Sequence, residues 1–144
     1  MNVRYLTFAE ILWLHSVSIK KYGGSPGVRD ENMLRSAVNR PQTSIFQVDA
    51  FPTLSQKAAA YLDSFARNHP FVDGNKRIAY ITAGHFLQLN SENLIASADE
   101  AEAFVLAVVT SRMEIAEIAE WLDRYCTPCQ QQLEGEKSKS FLWQ

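Results

Sequence analysis

The chain has 144 residues, of which 47% are apolar and 21% charged, with a formal net charge of −2. Those values suit one soluble globular domain with a real hydrophobic core. They give no general attraction to nucleic acid or anionic lipid, so any phosphate binding must be local. The opening MNVRYLTFAE lacks the basic-then-apolar build of a signal peptide. The longest uncharged stretch, residues 78–91, is too short and too polar to span a bilayer. A cytoplasmic location without a membrane partner is therefore expected.

Helical periodicity dominates the chain. Phe8, Ile11, Leu12, His15 and Ile19 form the first apolar stripe, opened by Thr7 with Glu10 three residues on. A second helix is predicted from about 30 to 39 and is stopped near Arg40 and Pro41. Residues 43–52, TSIFQVDAFP, have no helical period and are expected to be extended or to form a short hairpin. Leu54, Ala58, Tyr61, Leu62 and Phe65 mark a third helix, opened by Thr53 with Gln56 and running to about Asn68.

A fourth helix, from about 75 to 90, is apolar around most of its circumference, as Ile78, Ala79, Ile81, Ala83, Phe86, Leu87 and Leu89 show. Such a helix belongs at the centre of a bundle. Ala101, Phe104, Val105, Val108 and Val109 follow Ser97 with Glu100, and Ile115, Ile118, Ala119 and Leu122 follow Ser111 with Glu114. Each opening pair reads as a capping box, in which two side chains satisfy orphan amide donors at a helix start. The expected fold is all-α: a compact single-domain bundle of about six helices over residues 1–126. Residues 127–144 turn polar and read as a tail. Cys126 and Cys129 supply only two of the four ligands of a structural zinc, and no histidine lies near them. They are expected to be incidental surface thiols, with a zinc shared between subunits or a redox pair as the alternatives.

Polar chemistry concentrates in HPFVDGNKR, residues 69–77. Pro70 disfavours α conformation at the residue before it, which places His69 at a helix break. Asp73, Gly74 and Asn75 then lead into the central helix, whose free amide donors and positive dipole end form a ready anion site. Gly74 has no Cβ to block a ligand. Lys76 and Arg77 fall in the first turn, where cations oppose the helix dipole unless an anion compensates them. Asp73 has the chemistry to neutralise them or to help hold a divalent metal beside a polyphosphate. His69 has the chemistry to take a proton from an attacking hydroxyl. Each feature alone is ordinary: an Asp before a helix is usually a cap, a His before Pro is usually structural, and Gly-Asn is a common turn pair.

The order of these residues resembles the Fic/Doc family motif, His-x-Phe-x-(Asp/Glu)-(Gly/Ala)-Asn-(Gly/Lys)-Arg, at every specified position. Lys76, where most Fic proteins carry glycine, is similar to the Doc branch, the toxins of toxin–antitoxin pairs. YGGSPGVRD at 22–30, SAVNRP at 36–41 and ARN at 66–68 also look like the Doc pattern, so the resemblance covers about 125 residues.

The resemblance implies a Fic/Doc helical bundle with a flap at residues 43–52 that aligns a target chain. It implies His69 as general base, Asp73 as the Mg²⁺ contact, and Gly74, Asn75, Lys76 and Arg77 as the phosphate-binding set for ATP. By resemblance the product is a phosphorylated hydroxyl on elongation factor Tu, arresting translation. The alternatives are AMP transfer to a protein hydroxyl and a non-catalytic helical interaction module. Tyr80 stands where many Fic motifs carry a second arginine, which weakens the AMP-transfer alternative. The family's self-inhibitory pattern, Ser/Thr-x-x-x-Glu-Gly/Asn, does not occur in the chain. Inhibition is then expected from a separate Phd-like antitoxin that folds onto the protein. No basic face is readable, so no direct nucleic-acid binding is expected.

Overall fold

The computed structural model describes residues 2–128. Six α-helices carry the fold among them: α1 (Phe8–Tyr22), α2 (Glu31–Asn39), α3 (Leu54–Asn68), α4 (Asn75–Leu89), α5 (Ala98–Thr110) and α6 (Ile115–Arg124). The all-α expectation is met. Two small antiparallel pairs complete it. Strands β1 (Ser44–Ile45) and β2 (Val48–Asp49) pair with Ser44 opposite Asp49 and Ile45 opposite Val48. Strands β3 (Glu92–Leu94) and β4 (Cys126–Pro128) pair with Leu94 opposite Cys126 and Glu92 opposite Pro128. Thr127 and Pro128, assigned from sequence to the polar tail, thus lie in a strand, and the rest of the tail and Cys129 lie outside the described residues.

Local sequence explains most helix starts. Thr7 with Glu10, Thr53 with Gln56, and Ser97 with Glu100 form reciprocal capping boxes at α1, α3 and α5. The fourth pairing is different. Ser111 is the C-cap of α5, its N–H bonded to Ala107 O at 2.8 Å. Arg112 then turns with φ +51, and the N-cap of α6 is Glu114, whose N–H is taken by Glu117 Oε1 at 2.9 Å. Because α5 runs on to Thr110, a helix capped at Ser111 would have no residues in which to reverse direction.

Helix α4 is the axis of the core, with Ile78, Ala79, Ile81, Ala83, Phe86 and Leu87 all buried. Its main neighbour is α3, which also packs along α6. Tyr61, fully buried between them, accepts the Leu6 N–H at 3.1 Å, and burial pushes its phenol up to about 12. Arg67 ties the bundle's lower end together. It pairs with Asp63 and donates to the carbonyls of Val108 (2.9 Å) and Met113 on the α5–α6 connection. No helix among the described residues is long and apolar enough to cross a membrane.

Residues 43–52 form a hairpin rather than a plain extended segment. Its turn puts Phe46 (φ +50) and Gln47 (φ +66) in the left-handed region. Such turns usually carry Asn-Gly or Asp-Gly, and this one carries neither, so of the two expected forms the turn residues themselves do not single out the hairpin. The turn is held from below: Lys57 on α3 is fully buried, with its ammonium 3.1 Å from Asp49 Oδ2 and bonded to Phe51 O. The apolar side chains Ile45, Phe46 and Val48 are left exposed.

Candidate active site

Helix α3 ends at His69, which takes the left-handed conformation (φ +49, ψ +59) and reverses the chain before Pro70. The helix end is secured by Arg29, whose Nε donates to His69 O (2.6 Å) and whose Nη2 donates to Asn68 O (2.8 Å). A cation thereby satisfies terminal carbonyls at the negative end of the helix dipole. The His69 imidazole is exposed and makes no hydrogen bond among the described residues.

Phe71 anchors the following loop. It is 1% exposed, stacks on His15 with ring centroids 3.8 Å apart, and lies 6.2 Å from Phe65. Asn75 seals the loop from the other side: its Oδ1 accepts Phe71 N–H and its Nδ2 donates to Phe71 O, both at 3.0 Å. His15 adds a third tie, donating from Nε2 to the main-chain carbonyl of Asp73 at 2.8 Å. A carbonyl can only accept, so the Nε2–H tautomer is required.

The N-cap of α4 is Gly74, with φ +75, and Asp73 does not cap the helix directly. A Cβ on Gly74 would stand 3.1 Å from the Arg77 guanidinium. Asp73 instead accepts two main-chain amides, Gly74 N–H on Oδ1 (2.9 Å) and Ser25 N–H on Oδ2 (3.0 Å), which hold its carboxyl below the ordinary range. Lys76 is exposed. Arg77 donates to Gly23 O at 2.9 Å and lies over the Tyr22 ring. Neither cation forms an ion pair among the described residues.

His69, Asp73, Gly74, Asn75, Lys76 and Arg77 all line one cleft of about 550 Å³. Its opposite wall is Glu102, Val105 and Leu106 of α5. The cleft thus combines, on one wall, a proton acceptor, a helix N-terminus with orphan amides and two cations without an ion pair among the described residues, with Asp73 beside them and Glu102 across from them. That arrangement suits a phosphorylated ligand arriving with a cation. No cluster of three or more His, Cys, Asp or Glu able to hold a metal occurs among the described residues. The exposed Asp73 carboxylate does fit Mg²⁺ that arrives with a polyphosphate, because that ion keeps waters and takes phosphate oxygens as ligands.

His15, Arg29, the loop at residues 23–27 and the α5 wall carry no site role readable from sequence, although residues 22–30 belong to the Doc-like pattern. His15 reads correctly as part of an apolar stripe, and nothing in its spacing points to Asp73, 58 residues away. For Arg29, the Arg-Asp pair following a glycine-rich turn was the available signal.

Burial holds the His15 and His85 imidazoles below their ordinary value of 6.5. The unfolded chain therefore takes up protons near 6.5 that the native state refuses, and stability rises with pH across that window. The urea midpoint should be flat between about pH 7 and 9 and fall as pH drops below 6.5. A further fall is expected below 4.5, where the unfolded chain protonates its carboxylates while Arg4 holds Glu10 at about 2. A midpoint that rose on acidification from 7 to 5 would contradict the burial of these imidazoles.

Residues 5–87 match the family model described as "Fic/DOC family". The chain is 41% identical over 128 residues to "Toxin Doc" of Mycolicibacterium smegmatis, covering 88% of this chain and 96% of that protein. It is 31% identical over 122 residues to "Protein kinase doc" of Escherichia phage P1, covering 85% of this chain and 95% of that protein.

Proposed function

The chain belongs to the Fic/DOC family, on its Doc toxin branch, and from that premise we propose that it transfers the γ-phosphate of ATP to a hydroxyl of a target protein. The observation that carries this reading is the cleft, where the motif's imidazole, carboxylate, glycine-led helix start and two cations line one wall.

In the proposed reaction His69 takes the proton from the target hydroxyl while the hydroxyl oxygen bonds to the γ-phosphorus. The bond from that phosphorus to the bridging oxygen breaks, and ADP leaves. The orphan amides at the start of α4 cradle phosphate oxygens, and Lys76 and Arg77 neutralise their charge. Asn75 serves through its main-chain N–H, because its side chain is committed to Phe71. Asp73 would hold Mg²⁺, which when bound with the nucleotide offsets the charge of the phosphates. The hairpin, with Ile45, Phe46 and Val48 exposed, offers the target chain an extended apolar edge.

Phosphate transfer is favoured over AMP transfer by Lys76, a long cation lining the cleft at the position where the common Fic motif has glycine, which would crowd the cradle that glycine leaves open. The name of the phage P1 relative, a protein kinase, supports the same choice. Tyr80 is buried, so α4 brings no third cation to the cleft from that position. We assign the activity to the helical domain, residues 1–126. Elongation factor Tu is the proposed target, in the cytoplasm, and a cognate Phd-like antitoxin is the proposed inhibitor.

The deciding measurement incubates the protein with bacterial extract and Mg²⁺-ATP labelled at the α or the γ phosphate. Label is expected to reach protein from the γ position alone. Transfer from the α position alone would establish AMP transfer instead. Transfer from neither, with no thermal stabilisation by Mg²⁺-ATP, would leave a non-catalytic helical module.

A further inference from the structure

Residues 23–27, Gly-Gly-Ser-Pro-Gly, lie more than forty positions before the motif, yet the fold lays them directly against it. Val72 N–H donates to Gly27 O at 3.0 Å, Val28 pairs antiparallel with Phe71, and the amides of Arg29 and Asp30 both donate to Pro70 O, at 2.8 and 3.0 Å. The segment that follows the loop is thereby zipped to the segment that precedes Asp73. At the loop's centre, Ser25 N–H reaches Asp73 Oδ2, so the carboxylate is held at one oxygen by this loop and at the other by Gly74 N–H.

Gly24 is what allows that contact. It has φ +117, a conformation that residues with a Cβ rarely adopt. A Cβ placed there would stand 2.8 Å from Asp73 Oδ2, 3.3 Å from its Cγ and 3.0 Å from Ile19 Cδ1. The easiest of these groups to displace is the carboxylate, at the tip of an exposed and rotatable side chain. A side chain at position 24 would therefore act on the aim of Asp73 more than on the bundle.

We propose that the loop at residues 23–27 is a clamp that fixes the Asp73 carboxylate toward the cleft, with Gly24 as its positioning residue. The clamp rests on the reading of Asp73 as the Mg²⁺ contact. It adds that this contact is set by a second, distant segment of chain rather than by the motif alone.

Calorimetry of ATP binding to the full chain, with Mg²⁺ and in a chelator, separates the two ideas. Gly24→Ala, and Ser25→Pro, which removes the amide donor without adding a Cβ at 24, should each reduce the Mg²⁺-dependent gain in ATP affinity by about tenfold. Affinity in the chelator should be unchanged, and Ser25→Ala, which keeps the N–H, should match the parent. Asp73→Ala is measured alongside. Should it keep the Mg²⁺-dependent gain, the metal reading fails; should it lose the gain while Gly24→Ala retains it, the clamp alone fails. On the unmodified protein, the Ser25 amide resonance should move when Mg²⁺ is added to the ATP-loaded chain. A stationary Ser25 amide overturns the clamp whether or not the variants fold.

Discussion

Replacing His69 by Ala is expected to slow γ-phosphate transfer by about a hundred- to ten-thousand-fold, the usual range for loss of a positioned general base. The imidazole carries none of the ties that hold the loop. It is exposed at the cleft and makes no hydrogen bond among the described residues, whereas the residue's main-chain carbonyl carries the tie to Arg29. His69→Ala removes the former and keeps the latter. Stability should shift by no more than about 0.5 kcal/mol, as for a surface substitution, and ATP affinity should stay near that of the parent. Initial rates with saturating Mg²⁺-ATP and calorimetric ATP affinity check both halves. A variant that transferred phosphate at the parental rate would remove His69 from the mechanism.

Phe71→Ala should do the converse, with a loss of about 3–5 kcal/mol in stability, the range for truncating a fully buried aromatic ring. The ring is 1% exposed between His15 and Phe65, and its own backbone is gripped by Asn75. Truncation opens a cavity beneath the loop that carries Asp73, so activity should fall even at temperatures where the variant remains folded. Urea unfolding monitored by circular dichroism gives the stability term, and a change below about 1 kcal/mol, the scale of many tolerated substitutions, would show that the ring is not the loop's anchor. The two substitutions, two residues apart, separate a group free for chemistry from one committed to packing.

Much of the bundle is legible because its instructions are short-range. Thr7 and Glu10, Thr53 and Gln56, and Ser97 and Glu100 lie within one turn of each other, and each pair starts the helix it predicts. Where the same logic went wrong, at Ser111, the pattern was present but the end of α5 claimed the residue first. The hairpin was half legible: alternation suggested extension, but Phe46 and Gln47 are poor turn residues, and the buried Lys57 that braces the hairpin belongs to another element. Within the motif, the grouping of His69, Asp73, Gly74, Asn75, Lys76 and Arg77 in one cleft follows from their order around a helix break and a helix start. The commitment of the Asn75 side chain to Phe71 does not, since an amide beside a glycine is equally suited to a ligand.

The helical class, the break at His69, the buried course of α4 and the motif are all encoded by residues within a few positions of one another, and so can be read from the chain without its fold. What surrounds the motif comes from packing between distant segments. His15 reaches Asp73 across 58 residues, Ser25 across 48, and Arg29 reaches His69 across 40, while α5 closes the far side of the cleft. Those contacts depend on the directions in which packed helices bring distant loops together, and no local spacing encodes a direction.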